Sequence, residues 1–211
     1  STSRRQRQMC IRDSYRRYMT KLNRDFYLRD TITVARELLG CRLVHAADGK
    51  RSEVIITETE AYCGIHDKAC HSYGGRYTER TKVMYKEGGC AYVYFIYGMY
   101  SCFNVVAEEE GIPCAVLIRG GKPVGDLDVL AQRRYSLPYS ELTPYKLKHI
   151  ADGPGKLCIA LGIDRSLNGE DLTGNTLFIE QGEKPEDIKI GKRINIDYAQ
   201  EARDFNWRFY I

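Results

Sequence analysis

The sequence predicts a single α+β domain, a curved and mainly antiparallel β-sheet flanked by helices. Three observations lead there. The chain has 211 residues, 43% of them hydrophobic and 28% charged, which suits one sizeable core. Segments that read as strands outnumber those that read as helices, and the links between strands are mostly short. No repeat, low-complexity tract or clear linker divides the chain.

The elements follow in order. Residues 1–29 read as a basic N-terminal arm, helical in part around 15–22, ahead of a body at 30–211. Residues 1–30 hold nine of the 32 basic residues and three of the 28 acidic ones, so the positive charge gathers at one end. Residues 31–39 carry a helical face of Ile32, Ala35, Leu38 and Leu39, with Asp30 or Thr31 to cap it and Gly40 beyond it. Strands at 42–46 and 53–59 flank Asp48-Gly49, a strong hairpin turn. Residues 61–90 are rich in Gly, Tyr, His, Arg and Thr and lack a period; a loop that long usually carries function. Residues 91–106 read as a strand pair or one very long strand, and 114–119 as a buried strand. Helical pattern returns at 124–135 and within 142–150, and Pro154 opens a helix that runs to 161. Strands near 176–180, 192–197 and 207–211 complete the count.

Composition excludes several classes. No run approaches the roughly 18 apolar residues of a membrane helix, and the polar, basic start lacks the apolar core of an export signal. The eight cysteines form no CxxC pair and several sit in apolar runs, so free thiols in a reducing compartment are expected. Cys63, His66, Cys70 and His71 have ligand chemistry within nine residues, but structural zinc draws on two separate chain segments. No metal and no cofactor are expected.

Three segments can carry chemistry. Residues 57–62, TETEAY, end a strand, and alternation puts Glu58 and Glu60 on one face and Thr57 and Thr59 on the other. A carboxylate held there beside aromatics can act as a general base, and it can equally be a solvent-facing strand end. Residues 69–80 place His71, Arg76, Arg80 and a Gly pair together, which suits phosphate binding or an ordinary charged loop. Residues 92–100 hold five aromatics in nine positions, either core or a hairpin with Gly98 at its tip and Tyr97 projecting. An exposed wedge of that kind is what minor-groove proteins push between base pairs.

Taken together these segments resemble the alkyladenine (3-methyladenine) DNA glycosylases of the alkyl-purine type. ETEAY at 58–62, ACHSYGGRYTER at 69–80, YVYFIYGMYSCFNV at 92–105, LIR at 117–119 and GPGKL at 153–157 carry the resemblance, in order, from about residue 31 to the end. It implies a monofunctional hydrolase of base excision repair. Such an enzyme flips alkylated or deaminated purines out of duplex DNA and leaves an abasic site. By resemblance Glu60 is the general base that activates water, and Arg119 helps to hold that water. Tyr62, Ala69, His71, Tyr94 and Asn104 form the base pocket, Asn104 disfavouring guanine. On the protruding hairpin Tyr97 fills the gap in the duplex, with Gly98 beside it and Met84 as a groove contact. Arg76, Arg80 and Lys156 hold the DNA backbone.

The implied partner is double-stranded DNA with a damaged purine, met by a monomer and not at a membrane. The location is the bacterial cytoplasm at the nucleoid, or the nucleus of a eukaryote. The competing readings are a non-catalytic nucleic-acid-binding module and a zinc-stabilised interaction protein. Cys70 and Tyr73 stand where the family usually has a small and a basic residue, and Glu108-Glu109-Glu110 lengthen a loop near the hairpin. Those acids are expected to point away from phosphate.

Overall fold

A computed structural model describes residues 20–96 and 98–211. Two short helices, α1 (Arg24–Tyr27) and α2 (Thr31–Glu37), precede the hairpin β1 (Arg42–Ala47) and β2 (Lys50–Tyr62). Then come β3 (Ala91–Ile96), β4 (Tyr100–Ala107), β5 (Cys114–Gly125) and the helices α3 (Leu127–Tyr135), α4 (Pro144–Lys148) and α5 (Pro154–Leu161). Strands β6 (Leu177–Glu180), β7 (Lys189–Gly191) and β8 (Arg208–Tyr210) close the chain. Every strand pair is antiparallel, in the order β3-β4-β5-β2-β1-β6, with β8 joined to β2 and β7. The result is one mixed domain on a curled antiparallel sheet.

Local chemistry explains the element ends. Asp30 caps α2 by accepting from Thr33 N at 2.9 Å. Asp48 and Gly49 both take positive φ, the conformation a two-residue hairpin needs. Pro154 occupies the first turn of α5, where its missing N–H is no loss. The predicted strand at 192–197 is not formed: β7 lies earlier, at 189–191, and Asn195 at φ +59 breaks extended backbone.

The long strand β2 organises the curl. Its first half pairs with β1 and its second half, from Glu58 to Glu60, with β8, while β5 runs along its other edge throughout. The fork sits at a bulge, where the register against β5 shifts on both sides of Glu58. A bulge adds twist and re-aims side chains, and here it turns the Glu58–Tyr62 end toward a cleft. One sheet face holds the core: Val54, Ile56, Ala61, Val93, Phe103, Val105, Val116 and Ile118 pack beneath α2, α3 and α5.

Residues 20–29, read from sequence as the end of the arm, lie against this body. Leu22 and Tyr27 belong to the core, and Lys21 bridges to Glu180. The helical piece expected around 15–22 falls mainly outside the described residues. Seven cysteines are described, all free thiols and five of them buried.

Candidate active site

Strand alternation that buries one sheet face turns the other toward a cavity of about 260 Å³. The register draws a straight row across four strands on that face, from Tyr92 through Asn104 and Leu117 to Glu60. Tyr94, Cys102, Arg119 and Tyr62 flank the row by the same parity, and all four line the cavity. Two loops close it, 69–84 on one side and 194–198 on the other.

Glu60 ends the row and is fully buried. Its Oε1 accepts from the backbone N–H of Ile194 at 2.8 Å, and its Oε2 from the Tyr62 hydroxyl at 2.8 Å. Arg119 Nε stands 3.5 Å from Oε1. Burial raises the Glu60 pKa above the ordinary carboxylate value of 4.5, while Arg119, the Ile194 N–H and the Tyr62 hydroxyl oppose that rise. An ionised carboxylate offers about four lone-pair sites. Two bonds are made, so acceptor capacity remains for a water.

Sequence reasoning assigned no role to Glu58. The structure gives it one: Glu58 Oε1 accepts from Arg119 Nε at 3.1 Å and from Arg208 Nε at 2.6 Å. Those bonds orient the Arg119 guanidinium beside Glu60. Alternation on β2 already put Glu58 on that face, so the signal was present.

Tyr62, Tyr94, His71, Ala69 and Asn104, which the resemblance assigns to a base pocket, all line this cavity. His71 meets the Tyr94 ring edge-on at 4.7 Å between centroids, and its Nδ1 lies 2.9 Å from the Tyr92 hydroxyl. Burial and the nearby Arg80 and Arg76 charges lower its pKa to about 4, so the imidazole is neutral at pH 7. Asn104 gives its side-chain N–H to Tyr92 O at 3.1 Å, which fixes which way its amide points. Ala69 is held by Asp67, whose Oδ1 accepts from Ala69 N at 3.0 Å.

The remaining expected residues are scattered differently. Met84, expected as a groove contact, is buried and lines the cavity, because the turn at Lys82–Tyr85 tucks it against Cys70, Val83 and Tyr92. The methionine at the hairpin tip is Met99, 65% exposed, which the sequence reading did not single out. Gly98 takes φ +69 in that tip, and a side chain there would meet open space. Tyr97, the expected wedge, lies outside the described residues. Lys156, in the first turn of α5, pairs with Asp152 at 3.0 Å, and Arg76 is exposed. Arg80 reaches the cavity wall, its Cζ 4.8 Å from the Tyr94 ring centroid.

The departures have clear places. Cys70 lines the cavity with Sγ 3.1 Å from Ser72 Oγ, and burial raises its thiol pKa. Tyr73 is exposed. Glu108 turns toward α2, where its Oε1 accepts from Thr31 N at 3.2 Å, favourable for an anion at a helix start.

Behind the site lies a group with no local sequence signature. The Arg193 side chain is fully buried between the Tyr62 and Trp207 rings, at 4.8 and 4.9 Å from their centroids. It binds both carboxylate oxygens of Asp67, and donates to Ala61 O at 2.9 Å and Ala202 O at 3.1 Å. Ile194, whose N–H reaches Glu60, is the next residue. Among the described residues no three His, Cys, Asp or Glu side chains come together as a metal site.

The family model for methylpurine-DNA glycosylase matches residues 25–211. A protein of Clostridium acetobutylicum named as a 3-methyladenine DNA glycosylase is 53% identical over 193 residues, covering 90% of this chain and 94% of its own. Proteins of the same name from Desulfitobacterium hafniense and Clostridioides difficile are 51% and 47% identical. These cover 92% and 90% of this chain, and 96% and 100% of their own. Among the described residues no helix is long and apolar enough to cross a membrane.

Proposed function

The chain belongs to the methylpurine-DNA glycosylase family, and from that premise we propose a division of labour for its site. The protein is a DNA glycosylase, a hydrolase that acts in base excision repair of alkylated purines. In our reading the cavity takes a purine flipped out of duplex DNA, and Glu60 activates the water that replaces it. The observation that carries this is a fully buried carboxylate, raised in pKa, at the end of an aromatic-walled cleft with Arg119 beside it. Glu60 lies just behind the cavity lining, bonded to Tyr62 and Ile194 and flanked by Arg119, all three of which line the cavity.

The electron count is simple. Water attacks C1′, its proton goes to Glu60, and the bonding pair of the C1′–N bond leaves with the base. An N3- or N7-alkylated purine is cationic, so receiving that pair neutralises it and no acid is needed. Its charge also favours the cleft, since each aromatic face attracts a cation by roughly 0.5–2 kcal/mol. For neutral lesions such as hypoxanthine a proton donor would help, and His71 is not that donor at neutral pH because burial keeps it unprotonated.

Attack by an amine is the competing route. Lys68, the nearest lysine in sequence, pairs with Glu201 at 2.8 Å, and that bond raises its pKa. An amine nucleophile needs the opposite shift. We therefore expect strand nicks only after alkali on duplexes holding one 3-methyladenine, 7-methylguanine, hypoxanthine or ethenoadenine, and no adduct on borohydride trapping. An efficient adduct, or no base release from any of them, would defeat this reading.

The hairpin β3–β4 is proposed as the wedge, with Tyr97 in the chain between Ile96 and Gly98 as the side chain that fills the gap. Tyr100, the first residue of β4 beside the tip, packs on α5, where a Cβ on Gly155 would come within 3.2 Å of the ring. That contact braces the tip end of the hairpin against α5. Arg76 and Lys156, with the arginines of residues 1–19, supply attraction to phosphate that is independent of sequence. One chain suffices for one lesion, so a monomer acting on chromosomal DNA in a bacterial cytoplasm is the proposed form.

The pH profile gives a further expected result. The base must be ionised, so single-turnover release falls about tenfold per pH unit below the Glu60 midpoint. That midpoint lies above 4.5, because burial dominates its environment. His71 adds no limb near neutrality, since it titrates at about 4. A rate that stays flat down to roughly pH 4 would remove Glu60 from this role.

A further inference from the structure

The cleft already holds a planar cation of its own. The Arg80 guanidinium lies over the Tyr94 ring at 4.8 Å, and its Nη2 is 3.3 Å from His71 Nε2. Guanidinium can only donate, so Nε2 presents a lone pair and the imidazole proton sits on Nδ1, where it can be given to the Tyr92 hydroxyl. Arg80 therefore engages the two features that this wall offers to a flipped base: an aromatic face and a hydrogen-bond acceptor. A purine carrying a delocalised positive charge and an exocyclic N–H asks for the same two.

We propose that Arg80 is a specificity-determining residue: its guanidinium occupies the Tyr94–His71 wall of the free enzyme, and a flipped base must displace it. This rests on the glycosylase reading above. Displacement subtracts the same amount from the binding of every base, so it discriminates in rate because an alkylated base still fills the cleft after that subtraction and an undamaged one does not. An alkylated cation recovers it through its own interaction with Tyr94 and its own N–H to His71. An undamaged neutral purine recovers less and returns to the duplex. Arg80 is exposed where it leaves the cleft, so a DNA phosphate can receive the guanidinium as the base enters. A residue that only held phosphate would have no reason to stack on Tyr94 in the absence of DNA.

The test separates the two roles. Binding of a free N3-alkyladeninium base with fixed positive charge is measured by calorimetry on the wild type and on Arg80→Ala, without DNA. The variant should bind it about tenfold more tightly, from loss of one cation–π contact and one hydrogen bond. The same variant should bind undamaged duplex more weakly, with a salt slope lower by about one. In single turnover its preference for an alkylated over an undamaged purine should narrow. Because Arg80 is at the surface, equal melting temperatures will show that the fold is kept. Unchanged or weaker binding of the free base by Arg80→Ala overturns the proposal and leaves Arg80 as a phosphate contact. If the wild type releases no base from an alkylated duplex, the glycosylase reading fails, which the calorimetric result alone would not show.

Discussion

Glu60→Gln should abolish base release while raising the melting temperature. The loss in single-turnover rate should be at least about 10²-fold, the lower end for removal of a positioned general base. Gln keeps the shape, so the Ile194 N–H and the Tyr62 hydroxyl still have partners and damaged duplex should still bind. The gain in stability follows from the pKa direction. Burial raises the folded-state pKa of Glu60 above its ordinary value. The carboxyl therefore favours the fold at pH below the unfolded value, and that contribution is lost as pH rises through the folded value. At pH 7 the ionised, buried side chain weighs against folding, and a neutral amide removes that cost. The same burial that destabilises the chain keeps the base poised, a common trade at active sites. Differential scanning calorimetry and base release on the same preparation check both halves. Normal release by Glu60→Gln would refute the mechanism, and a lower melting temperature would refute the account of its environment.

The readability of this site varied with the range of the interactions that build it. Parity along a strand is local, so the shared face of Glu58, Glu60 and Tyr62, or of Tyr92 and Tyr94, was visible in the residues themselves. The register that aligns Tyr92, Asn104, Leu117 and Glu60 was not, because hairpin lengths and the β2 bulge set it. The Asp48-Gly49 turn and the start of α5 at Pro154 were legible, since positive φ and the proline ring act on their own residues. Met84 was misplaced because nothing in residues 82–85 marks a 3₁₀ turn that buries its side chain. The expected strand at 192–197 failed at Asn195, whose left-handed backbone is set by the loop that brings Ile194 to Glu60. Asp67 and Arg193 were invisible: 126 residues separate them, and neither has a patterned neighbourhood.

That invisible pair is where the largest loss of stability is expected. Four of the five guanidinium N–H groups of Arg193 are engaged, by Asp67, Ala61 O and Ala202 O, with Nε left without a partner. Asp67 also accepts from Cys63 N at 3.1 Å and Ala69 N at 3.0 Å. The two side chains thus tie together the end of β2, the 63–69 wall of the cleft and the segment that carries Ile194. Asp67→Asn leaves a buried guanidinium without its counter-charge and turns an amide NH₂ toward backbone N–H donors. Breaking one partner of a buried pair costs about 3–5 kcal/mol, and a chain of this size loses roughly 2–4 °C per kcal/mol. A fall of about 10 °C in melting temperature is therefore expected. The double variant Asp67→Asn with Arg193→Met removes the stranded charge and should recover part of that fall, because burying neutral groups is cheaper than burying an unpaired ion. A double-mutant cycle that shows no coupling between the two positions would mean that the pair does not hold the site together. If it does, well below the transition temperature the single variant should still lose base release more than damaged-duplex binding, because the Ile194 N–H and Tyr62 both reach Glu60 through segments that this pair anchors.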